Sequence, residues 1–171
     1  LDKDKDNAQY LTLKAVNLAL ANQHNEALKI FEIIIDDKKI KNNQLHLSYG
    51  HTLRAVGNLE KAITSYKNAI TTKTGFGEAY WSLANLKTYK FTENDINNIK
   101  SLLKNEDLKI EDYFHLLFAL GKAQEDNEQY EESIAAYIKG NTLKSKQVPW
   151  DSRKFSKECD ELIDFFTKDF L

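Results

Sequence analysis

Methionine is absent from these 171 residues, cysteine and proline occur once each, and glycine six times. Each scarcity removes a class of structure. One cysteine, Cys159, excludes an intrachain disulfide and suits a reducing compartment, so a cytoplasmic setting is expected. So few glycines and prolines leave little punctuation for a run of strands, and period-two alternation is sparse; the fold class is all-α. No apolar run approaches the ~18 residues of a membrane span, and no secretory leader is expected. Neither sign of charge dominates. The 24 basic and 26 acidic residues are well mixed, and a net charge of -2 gives no field for nucleic acid or an anionic membrane. The Lys38-Lys39-Ile40-Lys41 cluster follows Asp36-Asp37 directly and reads as a solvated inter-helix loop. A chain that begins at Leu1 without any methionine is expected to be a piece of something longer.

Hydrophobic residues make up 42% and charged residues 29%, enough for one compact domain or a short array. Apolar positions recurring at three and four predict helices over 8–22, 26–38, 43–56, 59–73, 77–90, 93–104, 111–127, 130–144 and 152–169. The turns Gln23-His24-Asn25, Gly57-Asn58 and Asn127-Glu128-Gln129 are short, which makes successive helices antiparallel neighbours. Steps of 12, 4 and 3 from Gly50 reach Ala62, Tyr66 and Ala69; from Ala15 they reach Ala27, Phe31 and Ile34; from Gly121 they reach Ser133, Tyr137 and Gly140. Small residues at a crossing, with an aromatic beside them, let two helices pack closely and then stack. Gly50 is expected to face Ala62, with Tyr66 filling the space beside them and Ala69 admitting the next repeat.

Repeats that begin at 8, 43, 77 and 114 resemble the tetratricopeptide repeat, whose period is ~34 residues. The expectation is a right-handed α-solenoid in a single domain over 1–171. Its repeats cover approximately 8–42, 43–76, 77–113 and 114–147, and a helix over approximately 151–169 caps the last apolar face. Pro149 ends the array, Asp151 or Ser152 caps the last helix, and Cys159 packs on that helix's apolar face. The third repeat departs from the pattern. Its second helix holds Ile96 and Lys100 where a small and an aromatic residue belong, while Thr92 and Asp95 mark a fresh helix start.

One stretch goes beyond a generic repeat: Phe76-Gly77-Glu78-Ala79-Tyr80-Trp81-Ser82-Leu83-Ala84-Asn85-Leu86-Lys87. With the insert from Phe91-Thr92-Glu93 to Asp107-Leu108, the run His115 to Ala123, Tyr137 to Asn141 and Phe166 to Phe170, it is similar to bacterial proteins that join an N-terminal tetratricopeptide array to a C-terminal sulfotransferase domain. That resemblance covers about residues 76–170 and implies a parent enzyme using 3′-phosphoadenosine 5′-phosphosulfate. This chain would be its non-catalytic arm, and no donor-binding residue carries over.

Residues for chemistry are not assembled. No phosphate loop occurs, and Gly75-Phe76-Gly77 reads as a turn between repeats. His46 and His51 lie five apart, off a common helix face, while His24 and His115 sit elsewhere, so no metal site is expected. Glu131-Glu132 and Glu125-Asp126 read as solvated surface acids. The chain is therefore read as a non-enzyme with no cofactor of its own.

What remains is the concave face. By the repeat's inner positions it comprises Gln9, Thr12 and Val16; Gln44, Leu47, His51 and Arg54; Glu78, Trp81, Asn85 and Tyr89; and His115, Phe118, Lys122 and Glu125. Ten of these are the candidate partner-binding residues: Leu47, His51, Arg54, Glu78, Trp81, Asn85, Tyr89, Phe118, Lys122 and Glu125. Trp and Arg often carry interface energy, and Asn85 can hold a peptide backbone through donor and acceptor together. Tyr80 and Trp81 divide core and groove between them, with Trp81 read as the groove residue and the reverse as the alternative. A clamp for acidic C-terminal tails is not expected, because Thr12, Val16, Ser48, Glu78 and Ser82 occupy the places of its basic and amide groups. The partner is thus a protein or peptide, or the chain's own downstream domain.

Overall fold

The computed structural model describes residues 7–37, 41–147 and 150–166, and among these every regular element is helical. In chain order they are α1 (Ala8–Leu20), α2 (His24–Glu32) continued by a π-helical turn (Ile33–Asp37), α3 (Asn43–Ala55), α4 (Leu59–Thr72), α5 (Gly77–Ala84), α6 (Glu93–Leu102), α7 (Ile110–Asp126), α8 (Tyr130–Gln147) and α9 (Ser152–Phe165). The loop expected over Lys38 to Ile40, Pro149 and the tail from Thr167 onward lie outside the described residues.

Local chemistry fixes the ends. Asn7, Asn42, Asn58 and Asp151 each turn a side-chain oxygen onto a first-turn N–H, and Thr92 with Asp95 forms a reciprocal capping box. The first helix of a repeat ends just before a left-handed residue: Asn22, Gly57 and Glu128, with φ of 60°, 82° and 61°. In the third repeat that role falls to Lys87 (φ 59°), four residues ahead of Phe91, the place its neighbours' 34–35-residue spacing would give. Hence α5 stops at Ala84, and the helix expected to reach 90 does not.

Helix pairs α1–α2, α3–α4 and α7–α8 pack along their lengths. At two of these crossings the tyrosine ring fills the space beside the glycine, as expected. A methyl group on Gly50 would come within 2.5 Å of the Tyr66 ring, and one on Gly121 within 2.8 Å of Tyr137. Ala15 and Phe31, both fully buried, hold the same two places in the first repeat. Gly140 likewise admits Phe118 of its own repeat rather than a following one; a methyl group there would come within 2.8 Å of the Phe118 ring.

The third repeat is built differently. Helix α5 packs chiefly on α7, not on α6. Gly77 lies against the Asp112 backbone, and Trp81 meets Phe118 at 5.3 Å between ring centroids, so α5 and α7 run side by side in the same direction. The Asp112 carboxylate, buried at the head of α7, accepts the Gly77 N–H at 2.9 Å and the Lys73 ammonium at 2.7 Å. Helix α6 contributes Ile96 and Ile99 to the core from the side.

Helix α9 forms where expected but does not cap the stack. None of its described residues is buried: Leu162 and Ile163 are 56% and 70% exposed, and Cys159 is half-buried rather than packed. The outward face of α8 is open too, with Tyr130, Ile134 and Ile138 each about 60% exposed. The apolar residues Phe155, Leu162 and Ile163 share one face of this otherwise charged helix.

Candidate functional site

The first helices of repeats one and two, α1 and α3, leave a cleft of 440 Å³ between them. Leu13, Val16 and Leu45 give it apolar walls, while Gln9, Thr12, Asn42, Gln44 and Ser48 supply amides and hydroxyls. It is there because the core residue of α1 is Ala15, so Leu13 at 62% exposure turns away from the core. The polar groups on the walls are partly held in place. Thr12 Oγ1 donates to the Ala8 carbonyl at 2.7 Å, and Asn42 Oδ1 accepts the Leu45 N–H at 3.0 Å. A smaller hollow of 200 Å³ continues from Val16 and Ser48 to His24, His51 and Thr52.

No carboxylate, imidazole, thiol or ammonium lines the larger cleft among the described residues. It can hold an apolar side chain and hydrogen-bond a backbone, and it has nothing with which to move protons. His51 stands at the far end. Its Nδ1 is 2.9 Å from the Tyr66 hydroxyl, and burial, reinforced by Arg54, lowers its pKa to about 4, so the ring is neutral at pH 7. The described residues contain no cluster of three or more potential metal ligands.

The candidate residues read from the sequence separate into different settings. Leu47 is not a groove residue; at 1% exposure it belongs to the core, because α3 is covered on two sides, Leu47 and Leu53 packing in the main core and Leu45 against the first repeat. Arg54 is exposed and His51 is half-buried beside the smaller hollow. Tyr80 fills the core, and Trp81 is half-buried against Phe118 in the α5–α7 seam. Asn85 and Tyr89 do not continue the α5 face, since the helix ends before them. Asn85 is exposed at the helix end. Tyr89 turns back instead: its hydroxyl donates to Asp95 at 3.2 Å, its ring meets Phe91 edge-on, and Lys67 lies over it.

Phe118 packs in the α5–α7 seam, with Trp81 and Phe114 at its ring. Lys122 is paired with Asp126, and Glu125 accepts the Tyr137 hydroxyl at 3.2 Å. Glu78 is half-buried, and burial together with the Asp112 charge raises its pKa. Several of these charges are thus already engaged within the fold. The sequence reading missed Leu13, Asn42 and Ser48; the signal for Leu13 was an apolar residue two positions before the small core residue Ala15, off the buried stripe.

Two segments, 44–75 and 114–147, match the family of the tetratricopeptide repeat. Those two segments are tetratricopeptide repeats. The matched segments are the second and fourth repeats, the two whose helices cross through a glycine on a tyrosine. The whole array is also similar in fold to the crystal structure of MamA, with a TM-score of 0.62 over 88% of this chain and 85% of that one, at 15% sequence identity. No curated protein matches the chain. These findings show an α-solenoid fold with tetratricopeptide repeats in the two matched segments. They do not bear on the sulfotransferase resemblance.

Proposed function

We propose that this array is a non-catalytic interaction module that holds a peptide in the cleft between α1 and α3. One observation carries the reading: a 440 Å³ cleft with apolar walls at Leu13, Val16 and Leu45 and a rim of amides at Gln9, Asn42 and Gln44. Burying one leucine-sized anchor there contributes about 1.5–3 kcal/mol. The rim amides offer donor and acceptor to the backbone on either side of that anchor. Arg54, exposed on the same helix as Gln44, favours an acidic residue further along the peptide. The single cysteine fits a reducing, cytoplasmic setting.

A peptide selected from a displayed library against the 171-residue chain provides the ligand for the test. Leu13→Asp and Gln44→Ala, both at exposed sites, are expected to weaken its binding tenfold or more by fluorescence anisotropy. Unchanged affinity in both, with loss in Arg54→Ala/Asn85→Ala, would move the site away from the cleft.

The similarity of residues 76–170 to sulfotransferase-linked arrays supports a second reading, in which this module is the arm that positions substrate or catalytic domain in a larger enzyme using 3′-phosphoadenosine 5′-phosphosulfate. The coding sequence beyond Leu171 tests it: a strand followed by a Pro-Arg-Ser-Gly-type loop is expected, and another kind of domain there refutes it.

A further inference from the structure

A separate hollow of 270 Å³ opens on another side of α3 from the cleft, between the π-helical turn that ends α2 and helix α4. Glu32 and Asp36 stand on one wall, Lys61 and Asn68 on the other, and His46 and Tyr49 of α3 lie between them. The volume falls below the ~300 Å³ at which small-molecule sites begin, and it suits a single side chain. We propose that this hollow binds the guanidinium of an arginine side chain presented by a partner protein.

His46 marks it as a place for a ligand. The residue is 6% exposed, yet its ring makes no hydrogen bond among the described residues. The Ser65 hydroxyl beside it is already committed, donating to the His46 carbonyl at 2.6 Å. Burial lowers the His46 pKa, so the imidazole is neutral at pH 7 and one nitrogen keeps a free lone pair. Buried polar side chains are normally hydrogen-bonded. A donor arriving in the hollow completes this one.

Charge selects the sign of that donor. Glu32 accepts the Tyr49 hydroxyl at 3.4 Å and lies 3.8 Å from the Lys61 ammonium, while Asp36 has no partner among the described residues. The Lys61 side chain is 61% exposed, and so loose a pair at the surface contributes little. Two carboxylates therefore face the hollow against one weakly engaged cation. The number of acceptors selects the shape. Two carboxylates, an imidazole nitrogen and the Asn68 carbonyl are spread around the walls, where the planar five-donor fork of arginine reaches several at once. An ammonium radiates three donors from one point and holds its water more strongly.

The probe is N-acetylarginine amide, titrated at pH 7 into the intact 171-residue chain and followed by NMR. Saturable shifts of the Asp36, Tyr49 and Asn68 amides and of the His46 imidazole nitrogens are expected at millimolar concentration. The neutral isostere N-acetylcitrulline amide should bind at least tenfold more weakly, and N-acetyllysine amide at least threefold more weakly. Asp36→Asn with Glu32→Gln should cost tenfold or more, whereas Lys61→Gln, which removes the competing cation, should tighten binding. Leu13→Asp, in the cleft, should leave the titration unchanged, so this site and the cleft stand or fall separately. No saturable shift at these residues, equal binding of citrulline, or affinity indifferent to Asp36→Asn/Glu32→Gln overturns the proposal.

Discussion

Gly77→Ala is the most demanding perturbation of this fold. The added methyl would lie 2.1 Å from the Asp112 carbonyl oxygen and 2.7 Å from its Cα, and backbone cannot rotate out of the way as a side chain can. An ordinary carbon–oxygen contact needs ~3.3 Å, so α7 must retreat from α5 by about 1 Å. Overpacking of this kind costs about 1–3 kcal/mol. The retreat also stretches the 2.9 Å bond from the Gly77 N–H to the Asp112 carboxylate, a charge-assisted contact of about 1.5–3 kcal/mol. Alanine recovers about 0.5–1 kcal/mol over glycine in a helix, leaving a net loss of about 2–5 kcal/mol. Urea unfolding measures it, and Trp81 in the same seam reports whether the loss is local: its emission should shift to the red as the gap from Phe118 opens. Gly57→Ala is the control. It has φ 82° and open space around it, so it should cost only the left-handed backbone, about 1–2 kcal/mol, and leave Trp81 unmoved. A Gly77→Ala protein within 0.5 kcal/mol of the parent, with unchanged emission, would refute the packing of α5 on α7.

Gly50→Ala should lower stability by about 1–3 kcal/mol, less than Gly77→Ala, because its obstacle at 2.5 Å is the Tyr66 ring and not backbone; thermal melts of the two variants side by side check the order. His51 should make stability fall on acidification. Its pKa is 6.5 in the unfolded chain and about 4 when folded, so between those values the unfolded state takes up the proton first. Allowing for its partial exposure, the loss from pH 7 to pH 4 is about 1–2 kcal/mol, and His51→Gln should flatten that part of the pH profile in urea melts; an unchanged slope would contradict the buried neutral ring.

The repeat was legible because its crossings depend on residue size, and size is written directly at Ala15, Gly50 and Gly121. The break in the third repeat was legible as well, since Ile96 and Lys100 cannot serve where a small and an aromatic residue are needed. The end of α5 was not. Lys87 adopts the left-handed conformation without being glycine, at modest local cost; its N–H donates to the Ala84 carbonyl at 3.3 Å, and Leu86 and Phe91 on either side pack into the core. Helix amphipathicity identified the apolar stripe of α9 but carries no information on what lies opposite, so the expected cap failed for want of a partner term. Leu47 shows a related limit. A family position assigns exposure only if that face of the helix stays open, and α3 is packed against both the first repeat and α4.

Because α5 rests on α7 and not on the helix that follows it, the period of the sequence and the unit of cooperativity do not coincide. A cut near residue 113, at the end of the third sequence repeat, would leave α5 without its principal support while looking harmless in an alignment of repeats. The smallest piece able to stand alone at this end therefore spans both later repeats. Melting should pass through it in one step, as if a single unit twice the usual length had been threaded into the array.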